Sequence, residues 1–140
     1  MHKGKPDPGG ISALNRSDTA IMLILFLATL AIYSVTFTHN LLDTWDDFDY
    51  LVNNSVVQGI TSQNLKAAFS SFIVGNYAPV NVISFMIDHA LWQFHPAGYH
   101  VENVALHAMN GILVYLLLIR LQMKRTAAFL AASVFLFHPV

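Results

Sequence analysis

The 140 residues contain no cysteine, so the chain can form neither a disulfide nor a thiolate metal site. Charge is scarce as well. Asp, Glu, Lys and Arg make up 11% of the chain, against roughly 25% in an ordinary soluble domain. The formal net charge of −1 leaves no basic surface of the kind that holds nucleic acid. Internal repeats are absent too, which excludes a solenoid. What fills the space is apolar: 55% of residues are hydrophobic and the mean hydropathy is +0.52. A chain so composed is an integral membrane protein.

The apolar residues fall into separate runs. Residues 1–18, "MHKGKPDPGGISALNRSD", are polar and unpatterned and read as a flexible cytosolic tail. Residues 19–37, "TAIMLILFLATLAIYSVTF", carry no charge. As a helix they reach about 28 Å, enough for a hydrocarbon core of roughly 30 Å. A signal peptide would have a shorter apolar region and a small-residue cleavage site, so an uncleaved transmembrane helix fits better. Residues 38–98 form a mixed loop. Within it "SQNLKAAFSSFI" (62–73) spaces Leu65, Ala68, Phe69, Phe72 and Ile73 as a short amphipathic helix. "VNVISFMIDHALWQF" (80–94) is apolar but short, with Asn81, Ser84 and Asp88 on one face. It reads as an interfacial or re-entrant helix, or as a short tilted span, and "HPAG" breaks it. Residues 99–121 are long enough to cross, 122–125 are a basic turn, and 126–140 begin a third apolar helix. The predicted fold class is therefore all-α integral membrane. A transmembrane helix leads into a non-cytosolic loop with short amphipathic helices, followed by a transmembrane helical hairpin.

Charge sets the expected orientation. Lys3, Lys5 and Arg16 precede the first span, and Arg120, Lys124 and Arg125 lie between the second and third. Lys66 is the remaining basic residue. The positive-inside rule puts the N-terminus and the 122–125 turn in the cytosol. The 38–98 loop then faces the periplasm, the cell exterior or the ER lumen.

That loop opens on an acidic cluster, "DTWDDFDY", with Asp43, Asp46, Asp47 and Asp49 interleaved by Trp45, Phe48 and Tyr50. Such a run is often a solvated face or a topology marker. Aromatic residues, however, concentrate at membrane interfaces. A carboxylate held among them near lipid is partly desolvated and accepts a proton more readily than one in bulk water. The second span carries a polar stripe, His100, Asn103, His107 and Asn110, all within roughly 80° of one face. Helix–helix hydrogen bonding explains such a stripe, above all for the deeper His107 and Asn110. His100 lies at the outer mouth, level with the acidic loop, and His138 returns to the same side. Glu102 lies off the stripe, where a backbone amide or a basic partner would meet it. A divalent metal on His100, His107 and an aspartate is conceivable but not indicated, because the spacing matches no standard ligand motif.

The ordered strings "TWDDFDYLVNN", "GNYAPVNVISFMIDHALWQFHPAGYHVENVALHAMNGILVYLLL" and "AAFLAASVFLFHPV" resemble the N-terminal part of GT-C superfamily glycosyltransferases. The resemblance is strongest to the transmembrane and tetratricopeptide-repeat-containing O-mannosyltransferases and their bacterial relatives, and covers about residues 20–140. It implies transfer of mannose or a similar hexose from a polyprenyl-phosphate donor to a protein or glycan acceptor on the non-cytosolic face, with inversion. It implies a catalytic role for Asp46 as general base, with Asp47 beside it. It implies substrate contacts by Trp45, Tyr50, His100, Asn103, His107 and His138. Its partners are membrane lipid, the lipid-phosphate sugar and the acceptor, with no further cofactor called for. Relatives of this kind have many more spans, so three helices are expected to be a fragment that is inactive alone. A small non-catalytic membrane subunit, or a transporter fragment relaying protons, also fits the residues.

Overall fold

The computed structural model describes residues 14–42 and 46–138. Most of the expected tail, Trp45 of the acidic motif, and the last two residues of the third apolar helix lie outside the described residues. The described chain is helical. Its elements are α1 (Arg16–Tyr33), α2 (Ser62–Ser70), α3 (Pro79–Trp92), α4 (Pro96–Arg120) and α5 (Arg125–Phe137). A 3-10 stretch, Ser34–Thr38, extends α1, and a wide π turn runs over Phe48–Val52. The only β pairing among the described residues is an isolated bridge between Ile73 and Asn76.

Two helical segments are long and apolar enough to cross a membrane, Arg16–Thr38 and Pro96–Arg120. Only 11% of the first and 28% of the second is buried within the protein. A core helix of a soluble domain would bury far more, so the outward apolar side chains suit lipid. Leu23, Ile24, Leu27 and Ile32 on α1, and Leu113 and Leu117 on α4, all face outward. At 14 residues α3 reaches only about 21 Å, short of a full crossing.

The described chain divides into two compact units, one made of α1, the later part of α4 and α5, the other of Ser34–Asn103. In the helical-bundle unit the core gathers Leu25, Tyr115, Ile119, Ala128, Ala132 and Leu136. Ala128, Ala132 and Leu136 recur every fourth residue, and Ala108, Gly111 and Tyr115 make the matching stripe on α4. Small residues at such seams let helix backbones approach where lipid supplies no hydrophobic drive. The approach at Gly111 is tight, since a Cβ there would lie 2.4 Å from Cγ of Leu136. Gly111→Ala gains about 1 kcal/mol of helix propensity. Overpacking the seam costs about 1–3 kcal/mol, so a net loss is expected. Thermal unfolding in detergent micelles checks it.

In the loop unit, Ala68 of α2 and Val82 and Met86 of α3 share a core with Val57 and Ile73. Thr61 caps α2, its Oγ1 accepting from the Asn64 amide at 3.1 Å. Pro79 opens α3. The turn into α4 is held by the Tyr99 hydroxyl, which donates to the Gln93 carbonyl at 2.7 Å. Trp92 folds over Gly98 so closely that a Cβ there would fall 2.2 Å from the indole. The turn expected at "HPAG" is therefore real, but Pro96 begins α4 rather than merely ending α3.

Candidate functional site

The loop unit contains two cavities that share Asp47, His100 and Leu41. The smaller, about 130 Å³, is also walled by Tyr50, Phe85, Tyr99 and Asn103. The larger, about 500 Å³, is also walled by Thr38, His39 and Asn40. Its volume falls within the range of about 300–1,000 Å³ usual for small-molecule sites.

Asp47 reaches both cavities because the backbone turns sharply here. The helical turn at Asp46–Asp47 runs into the π turn, and Asp47 Oδ2 accepts from the Leu42 amide at 3.0 Å. That bond fixes the carboxylate on the cavity wall. Asp46 is exposed and lines neither cavity. Asp49 is turned to Asn53, whose amide donates to it at 3.1 Å. Tyr50 packs on Phe85, with ring centroids 6.0 Å apart, and its hydroxyl accepts from the Asn76 amide at 2.8 Å.

His100 is carried by α4. Its Nε2 lies 3.2 Å from the His39 carbonyl. A carbonyl only accepts, so Nε2 carries the hydrogen and Nδ1 is the remaining functional nitrogen. The two rings meet edge to face, centroids 6.3 Å apart. His39 is thus a site residue that no helical periodicity marks, since it lies in irregular chain. Its position just after an apolar span was the available signal.

The other candidates lie elsewhere. His107 belongs to the helical-bundle unit, where its Nε2 donates to the Leu136 carbonyl at 3.1 Å. Tyr33 donates to the same carbonyl at 2.9 Å, and its ring meets His107 edge-on at 5.6 Å. This is helix–helix hydrogen bonding at the end of α5. His138, in the same unit, is exposed and lines neither cavity. Glu102 of α4 acts on Asp88 of α3. Burial, and then Glu102, push the Asp88 carboxyl up to about 7. No group of three or more His, Cys, Asp or Glu capable of holding a metal is present among the described residues.

Comparison with other proteins gives the chain relatives. It is 29% identical over 46% of its length to protein O-mannosyl-transferase TMTC3 of Mus musculus. It is 28% identical over 98% of its length to protein O-mannosyl-transferase F38B6.6 of Caenorhabditis elegans. It is 31% identical over 69% of its length to protein O-mannosyl-transferase TMTC4 of Homo sapiens. No family profile matches the chain, and no solved structure matches it. The chain spans 7%, 22% and 16% of these relatives' own lengths. Within that span it is similar to proteins named as O-mannosyl-transferases, as the strings of its acidic loop and polar helix suggest.

Proposed function

We propose that this chain contributes the acceptor-activating site of a membrane glycosyltransferase. The sugar, mannose or a similar hexose, comes from a polyprenyl-phosphate donor and goes to a hydroxyl of a protein or glycan on the non-cytosolic face. The carrying observation is the convergence of Asp47, His100 and Asn103 on one cavity in the segment that follows a membrane span. The names of the similar proteins support the reaction class.

The chemistry follows from these groups. The acceptor oxygen attacks the anomeric carbon, its proton passes to Asp47, and the carbon–oxygen bond to the phosphate breaks. A single displacement inverts the anomeric centre. The leaving phosphate gains negative charge as that bond opens, and donors aimed at it lower the barrier. Asn103 donates through its amide. His100 has its Nε2–H engaged by the His39 carbonyl, which leaves Nδ1 as its nitrogen able to meet a substrate. Asp46, next to Asp47 but on the exposed side, has the role of shaping acceptor approach.

The test is transfer of radiolabelled mannose from dolichyl or undecaprenyl phosphate to endogenous protein, in membranes of cells expressing the gene. Product above the level of membranes lacking the gene is expected, and none with either carrier removes the reading. Orientation is tested separately. Ser62, exposed at the start of α2, is replaced by cysteine in this cysteine-free chain. Labelling by an impermeant maleimide is expected from the non-cytosolic side. Labelling only after the membrane is opened reverses the topology.

A further inference from the structure

The amphipathic stretch 62–73 does not bury all of its apolar residues. Leu65, Ala68 and Ile73 pack into the core that they share with Val82 and Met86 of α3. Phe69 and Phe72 stay out of it and are 57% and 75% exposed. Tyr77 joins them at 55% exposed. Its ring stands 5.9 Å from that of Phe72, and its hydroxyl donates to the Phe69 carbonyl at 3.1 Å. Three aromatic side chains thus form one outward cluster where α2 passes into α3.

The tip of that passage is a two-residue turn. Ile73 and Asn76 exchange backbone hydrogen bonds of 2.9 Å in both directions, and Val74 and Gly75 between them have φ of 48° and 77°. Glycine and asparagine are the usual occupants of such positions. Val74 is β-branched, so its left-handed backbone is strained, and its side chain is exposed. An apolar, strained residue is a poor choice for the end of a water-facing turn. Charge is missing as well, since residues 67–87 carry none. Just before them comes Lys66, exposed, the one Lys or Arg between residues 34 and 103. Both candidate spans run into this unit: Ser34–Thr38 closes the first, and residues 96–103 open the second. The unit is therefore tethered to a bilayer at its two ends.

We propose that this tip is a membrane anchor, with Phe69, Phe72, Val74 and Tyr77 entering the boundary between lipid headgroups and acyl chains. Aromatic side chains concentrate at that depth. Lys66 lays its alkyl stem along apolar surface and extends its ammonium to the lipid phosphates. Burial in lipid offsets both the exposure of four apolar side chains and the strain at Val74. Asn76 carries the effect inward, since its amide donates to the Tyr50 hydroxyl at 2.8 Å and Tyr50 walls the smaller cavity. A tip fixed in lipid thus sets the height of that wall relative to the bilayer. The inference stands without the transferase reading, because it concerns the docking of the loop unit whatever its cavities do.

The chain has no cysteine, so Val74→Cys gives a single attachment point for the environment-sensitive fluorophore NBD. The full chain is placed in phosphatidylcholine nanodiscs, and Gln63→Cys, exposed in the first turn of α2, is the reference site. The fluorophore at 74 is expected to emit at shorter wavelength than at 63, to lose intensity to lipids brominated on the acyl chain, and to resist aqueous iodide. Phe69→Ser together with Phe72→Ser changes exposed side chains alone and is expected to reverse that pattern with the helix content unchanged. Iodide quenching at 74 equal to that at 63 would overturn the proposal, because the tip then faces water. Protection from both quenchers would overturn it too, because protein and not lipid then covers the tip. Lipid quenching that persists in the double serine variant would show the fluorophore inserting by itself, and the aromatic cluster would be no anchor.

Discussion

Replacing Asp47 by asparagine is expected to lower sugar transfer by a factor on the order of 10²–10⁴ while leaving the protein inserted and folded. The substitution is nearly isosteric. The asparagine carbonyl oxygen can still accept from the Leu42 amide, so the bond that fixes the side chain to the cavity wall survives. What disappears is the capacity to take a proton. Asp46→Asn is the matched control: the same change one residue away, on an exposed side chain that lines neither cavity. It is expected to alter transfer by only a few-fold. The measurement is transfer from polyprenyl-phosphate mannose in membranes adjusted to equal protein content. If the two variants exchange behaviours, the base is Asp46. If neither loses activity, the acidic motif has no part in the reaction.

Much of this architecture is legible in the order of residues, and the parts that are not share a cause. The two long spans follow from long, mainly apolar runs, the second with its polar residues gathered on one stripe, because a helix in lipid must satisfy its backbone internally and carry apolar side chains outward. The amphipathic α2 follows from its spacing, though it stops at Ser70 instead of running to Ile73, where the chain turns into the isolated bridge. Pattern cannot choose between adjacent aspartates. The choice between Asp46 and Asp47 at the cavity is made by the local turn, and the π geometry of Phe48–Val52 has no sequence signature. The polar stripe on α4 is correctly aligned along one helix. Its residues nonetheless serve different surroundings: His100 and Asn103 line a cavity, and His107 binds the Leu136 carbonyl. A stripe records shared direction and says nothing of what stands opposite. Glu102 shows the same limit, since its neighbour Asp88 lies on a different helix and is a second acid.

The second large effect concerns a group that sequence reading assigned to the tail. Asp18 is fully buried and accepts four hydrogen bonds. Asn15 N–H donates at 2.8 Å, and Asn15 Oδ1 accepts in return from the Asp18 amide at 3.0 Å, a reciprocal cap on α1. The Tyr115 hydroxyl donates at 2.7 Å from α4. Arg125, at the start of α5, donates through Nε at 2.8 Å and Nη2 at 3.1 Å, the fork that a guanidinium fits to a carboxylate. One carboxylate thus ties three helices, with 107 residues separating it from Arg125. Arg125 was a topology marker by charge alone; here it is also a structural partner. Tyr115→Phe removes one hydrogen bond to a charged group, and a loss of about 1.5–3 kcal/mol is expected. Arg125→Met should cost more, because it leaves the buried carboxylate without its countercharge. Asp18→Asn should fall between them, since the amide still accepts from Tyr115 and leaves behind an arginine that is partly exposed and can be hydrated. Unfolding of the full chain in detergent micelles orders the three variants. An Arg125→Met protein as stable as the wild type would mean that the helices are held by the Ala128–Ala132–Leu136 seam alone, with the ion pair contributing nothing.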